Sequence, residues 1–228
     1  MIQDFQAAIP EAEILVFDNN STDRIAEIAQ ECGAKVIKEP RPGKGYVVSS
    51  MFRKVEADYY VFVDGDDTFS AQHVRQLLEQ VMEDHADMAV GARLGENINK
   101  SFRPLHVFGN HLVCKLVNWI FKNKLTDLMS GYRAYCLKLV KHIPILSSSF
   151  EVEKEMTIRI LDYVFLIEEV QLPFKERPEG SESKLRTFHD GFRVLTEIAR
   201  IAKAYKPFTF FGLVGLALIL AGGVSGIW

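Results

Sequence analysis

Two short apolar runs, EILVF at residues 13–17 and YYVFV at 59–63, each lead straight into an aspartate, Asp18 and Asp64. Runs of this length, without polar alternation, read as strands covered on both faces. Helical patterns separate them. Ser21 or Thr22 offers an N-cap for a helix through Gln30, with Ile25, Ile28 and Ala29 inward and Gly33 as its stop. Residues 35–37 read as a second strand, 46–56 as a helix after a Pro/Gly loop, and 88–90 as a fourth strand. An amphipathic helix over 71–84 turns Val74, Leu77, Leu78 and Val81 inward. This alternation predicts an α/β fold with a Rossmann-like, mostly parallel sheet. Ligands of such sheets gather beyond the carboxyl ends of the strands, so Asp18 and Asp64 are expected at one crevice.

The later chain is less regular. Residues 105–121 are apolar almost all round, which fits a core helix or one lying in a membrane interface. A loop, LTDLMSGYRAY, leads to a helix near 150–162 and a strand near 164–171. Residues 188–206 set Phe188, Phe192, Leu195, Ile198 and Ala202 against Arg193, Glu197, Arg200 and Lys203, an amphipathic pattern suited to a bilayer surface. Residues 207–228 carry no charge. At 1.5 Å per residue, about 20 such residues span a bilayer core. The basic flank before them predicts that the globular part is cytoplasmic. The expected organisation is a catalytic domain at 1–186, an interfacial helix at 187–206 and a transmembrane segment at 207–228, cut short of further spans.

A net charge of −3 gives no basic surplus for nucleic-acid binding. The three cysteines form no CxxC pair or His/Cys cluster, which argues against structural zinc and for reduced thiols. The chemistry concentrates at Asp64-Gly65-Asp66-Asp67-Thr68. Carboxylates this close repel unless a cation compensates, and Mg²⁺ is held by one or two carboxylates together with substrate phosphates. Gly65 is expected to bend the backbone so that Asp64 and Asp66 face one ion. The bland alternative is an Asp/Gly turn. Asp64-x-Asp66-x-Thr68 also matches the first motif of haloacid-dehalogenase-like phosphohydrolases, but no later GDxxxD acidic pair follows.

With Asp18-Asn-Asn-Ser-Thr-Asp23 and Gly43-Lys44-Gly45 placed before it, the DGDD stretch resembles family 2 glycosyltransferases of the GT-A fold. Asp127-Leu-Met-Ser-Gly-Tyr-Arg133, Phe150-Glu151-Val152-Glu153 and Arg177-x-x-Gly180-x-x-Ser183-Lys184-Leu185 are similar to polyprenyl-phosphate glycosyltransferases, among them the dolichyl-phosphate mannose synthases. The resemblance implies a nucleotide-diphosphate sugar as donor and a polyprenyl phosphate lipid as acceptor. Asp18 would contact the nucleoside, and Asp64 and Asp66 would hold Mg²⁺ or Mn²⁺ and the diphosphate. Lys44 would add donor contacts, with Asp66 and Asp127 as the catalytic acids. Two anions must meet, so Arg103, Arg133, Arg177, Ser183 and Lys184 are the candidates for the acceptor phosphate. Asp127 would orient groups near the acceptor or pair with Arg133. Family members open with a strand ending in a Pro-x-x-Asn-Glu-like segment that this chain does not show. The expectation is a fold lacking its first strand and binding donor weakly. An inactive membrane-anchored scaffold is the non-enzyme alternative, and homo-oligomerisation is left open.

Overall fold

The fold is described, as a computed structural model, for residues 1–94, 104–145, 152–173, 196 and 198–226. The chain divides into two compact units, Met1–Ser101 with Thr126–Ser181, and Phe102–Leu125 with Glu182–Trp228. This division sends residues 104–121 to the C-terminal unit, a boundary that runs differently from one drawn along the sequence.

The first unit runs α1 (Ile2–Ala8), β1 (Leu15–Asp18), α2 (Ile25–Glu31), β2 (Lys35–Lys38), α3 (Lys44–Lys54) and β3 (Tyr59–Phe62). A 3₁₀ turn at Ala71–His73 leads into α4 (Val74–Met82), then β4 (Met88–Leu94), β5 (Arg133–Cys136), helices Leu137–His142 and Val152–Asp162, and β6 (Ile167–Pro173). Strands β1 and β2 pair in parallel from Leu15↔Lys35 to Asp18↔Lys38. The other four strands form a sheet in the order β3-β5-β4-β6. Strand β5 is antiparallel to both β3 and β4, whereas β6 is parallel to β4. The larger sheet is therefore mixed, not mostly parallel. The strand that makes it so lies in the stretch read as loop, because RAYC is four residues long and shows no usable period. Among the described residues no ladder joins β1 to β3.

Helix α4 lies over β4 and β5. Its Val74, Leu77 and Val81 are buried, as are Met88, Ala89, Val90 and Ala134 of those strands. Helix α3 is locked down by Phe52, whose ring lies 5.5 Å from Phe62 and 5.6 Å from Tyr135. Such ring pairs add about 0.5–1.5 kcal/mol each beyond area burial. Helix α2 corrects the sequence reading. Neither Ser21 nor Thr22 caps it; it starts at Ile25 without a side-chain cap on its N-cap residue. Ile25 and Ile28 stand half-exposed, and of the expected inner face Ala29 alone is buried.

In the second unit, Pro104–Phe121 is one helix, residues 198–205 are helical, and Pro207–Gly226 is a 20-residue helix. Phe121 meets Tyr205 edge to face at 5.1 Å, and the Lys206 ammonium lies 5.7 Å from the Trp119 ring centroid. Ile201 is buried while Arg200 and Lys203 are exposed, the two-sided pattern expected of that helix. The rest of the expected amphipathic helix, 188–195 and Glu197, lies outside the described residues. Among the described residues no helix is long and apolar enough to cross a membrane. The span expected at 207–228 thus has a helix beneath it but no demonstrated crossing.

Candidate active site

The loop after β1 is built on Asn19. Its side-chain amide donates to the Glu39 and Arg41 carbonyls at 3.0 and 2.7 Å, and its oxygen accepts from the Gly43 N–H at 2.8 Å. Asn20, in the left-handed region at φ 61°, donates to the Pro40 carbonyl at 2.9 Å. Arg41 binds the Glu39 carboxylate through Nε at 2.8 Å, and those bonds hold the Glu39 carboxyl down at about 2. Gly43 has φ 131°, a conformation L side chains rarely adopt, and serves as N-cap of α3. The outcome is a fixed launch point for Lys44, the first residue of α3.

Lys44 reaches over the end of β3. Its ammonium lies 2.6 Å from Asp64 Oδ1 and also binds the Glu153 carboxylate from the first turn of helix Val152–Asp162. Burial pushes the Lys44 pKa down, but Glu153 and then Asp64 outweigh it, so its proton is held more tightly than in a free lysine. Asp64 has a wall behind it. A Cβ on Gly131 would overlap the Asp64 carboxylate, so a side chain there would push that carboxylate aside. These side chains border a cavity of about 380 Å³, lined also by Asn19 and Phe62, at the carboxyl ends of β1 and β3. A crevice lies where strand alternation placed it, with Asp64 on its wall, but Asp18, expected there too, is not among its lining residues, although Phe17 and Asn19 are.

Arg133 is a correction. Only 1% exposed, it donates from Nε to the Ser130 carbonyl at 2.8 Å and from Nη2 to the Leu128 carbonyl at 2.9 Å. Its Nη1 donates to the Glu153 carbonyl at 3.1 Å and Thr157 Oγ1 at 3.0 Å. A guanidinium committed to three carbonyls and a hydroxyl is not placed to grip an acceptor phosphate. It ties the Gly131 loop to the turn that carries Glu153, and so sets two walls around Lys44.

Asp127 is also re-paired. Its partner is Arg93, not Arg133, with Nε–Oδ2 at 2.6 Å and Nη2–Oδ1 at 2.9 Å. Burial raises its pKa, but the Arg93 bonds win and the carboxyl is held below the usual aspartate value. Glu169 fastens the same loop by accepting from the Thr126 and Asp127 N–H groups at 2.8 and 3.0 Å. Asp66 accepts from Thr68 Oγ1 at 2.6 Å. The left-handed residue of that turn is Asp67, at φ 56°, and a Cβ on Gly65 would meet nothing within 4 Å. Gly65 is therefore not the bend that the sequence suggested. Asp18 is buried and accepts from the Ser21 N–H at 3.0 Å; the Ser21 side chain first, and this N–H second, lower its pKa.

Among the described residues no three His, Cys, Asp or Glu side chains gather closely enough to hold a metal alone. Asp64 and Asp66 offer two carboxylates two residues apart, which suits Mg²⁺ or Mn²⁺ when phosphate and water complete the shell. Arg103, Arg177, Ser183 and Lys184 lie outside the described residues. Glu153, which the sequence offers as a partner for basic residues or a cap for the helix near 150–162, pairs with Lys44; the contacts of Asn19 and Gly131 have no such signal. Each stands inside or beside a quoted motif, yet only the folded chain shows what it touches.

Residues 3–143 match the model of glycosyl transferase family 2, well over half of the chain. The chain belongs to that family and is a glycosyltransferase. It is similar to glycosyltransferase AglJ of Haloferax volcanii, 29% identical over 92% of this chain and 70% of that protein. The dolichyl-phosphate hexose transferase of the same organism is 28% identical over 83% of this chain and 81% of its own. The low-salt glycan biosynthesis hexosyltransferase Agl6 is 34% identical over 92% of this chain, which spans about half of it, 51%. Glucosyl-3-phosphoglycerate synthase from Mycobacterium tuberculosis, in complex with Mn²⁺ and uridine-diphosphate-glucose, shares the fold. Its TM-score is 0.60 at 17% identity, over 90% of this chain and 83% of that one. Family membership sets the phosphohydrolase reading aside.

Proposed function

We propose that this chain transfers a sugar from a nucleotide-diphosphate sugar to a polyprenyl phosphate, with inversion, using Mg²⁺ or Mn²⁺ at the cytoplasmic face of a membrane. The observation that carries the reading is the cluster of Lys44, Asp64 and Glu153 at the mouth of a strand-end cavity. The relative named as a dolichyl-phosphate hexose transferase supports the lipid acceptor. The fold shared with a protein solved with Mn²⁺ and uridine-diphosphate-glucose supports the donor class.

Asp64 and Asp66 would hold the ion, which supplies positive charge against the departing diphosphate. Lys44 places a cation at the same end of the cavity. The first turn of α3 has no side-chain cap on its N–H groups and adds the positive end of a helix dipole. Asp18 remains the candidate for the nucleoside. A phosphate ester oxygen, with a second pKa near 6, is already deprotonated at neutral pH. No strong base is required, and Asp127, committed to Arg93, shapes the acceptor side rather than taking a proton. Arg103, Arg177, Ser183 and Lys184 remain the acceptor-phosphate candidates; Arg133 does not. The uncharged helix Pro207–Gly226, with Phe208, Leu213, Leu216, Leu218 and Ile219 exposed, is the proposed membrane anchor.

The test is direct. The full chain in vesicles containing a short polyprenyl phosphate, given UDP- or GDP-sugars and Mn²⁺, is expected to form a lipid-linked sugar. Free phosphate without glycolipid, or no turnover with any donor, would refute the proposal. Flotation with vesicles that is unaffected by Leu216→Arg with Ile219→Arg would refute the anchor.

A further inference from the structure

We infer that Lys44 is a displaceable counter-ion for Asp64, held in reserve by Glu153, so that metal enters only together with the diphosphate. This rests on the donor and metal reading above. In the structure the Lys44 ammonium occupies Asp64 Oδ1, one of the oxygens a divalent ion would need. The Gly131 backbone lies beside its other oxygen, close enough that a Cβ there would overlap the carboxylate. A metal arriving alone must break the Lys44–Asp64 pair without compensation, leaving two cations in competition for one carboxylate. A diphosphate arriving with the metal changes the balance, since its oxygens accept the ammonium that Asp64 gives up. Glu153 is what makes the exchange local. Its carboxylate also binds Lys44, and its side chain is only 10% exposed. Its backbone is fixed through Arg133, so Lys44 released from Asp64 stays at the cavity mouth instead of swinging into solvent. Glu153 is thus a positioning residue acting through Lys44.

The experiment titrates the full chain with Mn²⁺ alone and with Mn²⁺ plus UDP or GDP, followed by electron paramagnetic resonance of the free ion. The native chain is expected to bind Mn²⁺ weakly alone and more tightly with nucleotide. Lys44→Gln is expected to strengthen binding of Mn²⁺ alone by about tenfold, equivalent to about 1.4 kcal/mol, and to shrink the gain from nucleotide. Lys44→Arg should restore the coupling. Glu153→Gln should weaken nucleotide-assisted binding without strengthening Mn²⁺ alone. Unchanged affinity for Mn²⁺ alone in Lys44→Gln, with binding still abolished by Asp64→Asn, would overturn the counter-ion role and leave the metal site standing. Mn²⁺ uptake indifferent to nucleotide and to Asp64→Asn would overturn both.

Discussion

Arg133 shows how a residue type can be right for one job and be used for another. Its planar fork suits phosphate, but here it satisfies the carbonyls of Leu128, Ser130 and Glu153. Replacing it with leucine would take this donor from the Leu128 and Ser130 carbonyls, while the Glu153 carbonyl keeps the Thr157 hydroxyl at 2.9 Å. Arg133→Leu is expected to cost about 3–5 kcal/mol in urea unfolding; a loss below 1 kcal/mol would reject the hub role. Gly131 sets a tighter limit. Gly131→Ala would drive a methyl group into the Asp64 carboxylate, and a misplacement of about 1 Å typically costs about 100-fold in rate. Near-native turnover in that variant would show that Asp64 is not held against the loop. Asp127 carries a pH signature. Its folded pKa lies below the ordinary 3.8, so the pair with Arg93 contributes fully above that value and is lost as pH falls beneath it. The drop in stability on acidification through that range should be smaller in Asp127→Asn than in the native chain, in thermal melts taken from neutral to acid pH. The importance of Asp64 was legible in sequence, because a triple carboxylate at a strand end needs a cation. What Asp127 and Arg133 touch was not, since Arg93 and Glu153 lie 34 and 20 residues from them along the chain.

Among the elements, β1 to β4 were readable as strands because each is a short apolar run set off by turn residues. Strand β5 was hidden. Its four residues include an arginine and follow a loop with no break in composition, yet both flanking strands pair with it. Helix α2 misled for the opposite reason. Its isoleucines fall at helical spacing, but the helix lies over a two-stranded ladder with too little surface to cover both. Helix α3 matters more to function, because its first residue is Lys44. The Phe52 contacts with Phe62 and Tyr135 fix the helix to β3 and β5. Phe52→Ala is expected to lose about 3–5 kcal/mol and to weaken nucleotide binding as Lys44 loses its footing. Retained nucleotide affinity, measured by calorimetry below the melting point, would separate the packing of α3 from the placement of Lys44.

At the scale of the molecule, neither unit is continuous in sequence: each is assembled from two stretches of chain. In the larger sheet β3 reaches β4 only through β5, and β4 is bordered on its far side by β6. A chain ending at residue 101 is therefore expected to show no hydrogen-exchange protection of β3 and β4 amides, whereas protection there would mean that those strands find another pairing. The order of manufacture on the ribosome follows from the same topology. The apolar helix Pro104–Phe121 leaves the exit tunnel before β5 (Arg133–Cys136) does. The nascent polypeptide must keep that greasy segment from clumping for about 1–3 s at ordinary elongation speeds, while the half-built sheet waits for that strand to emerge.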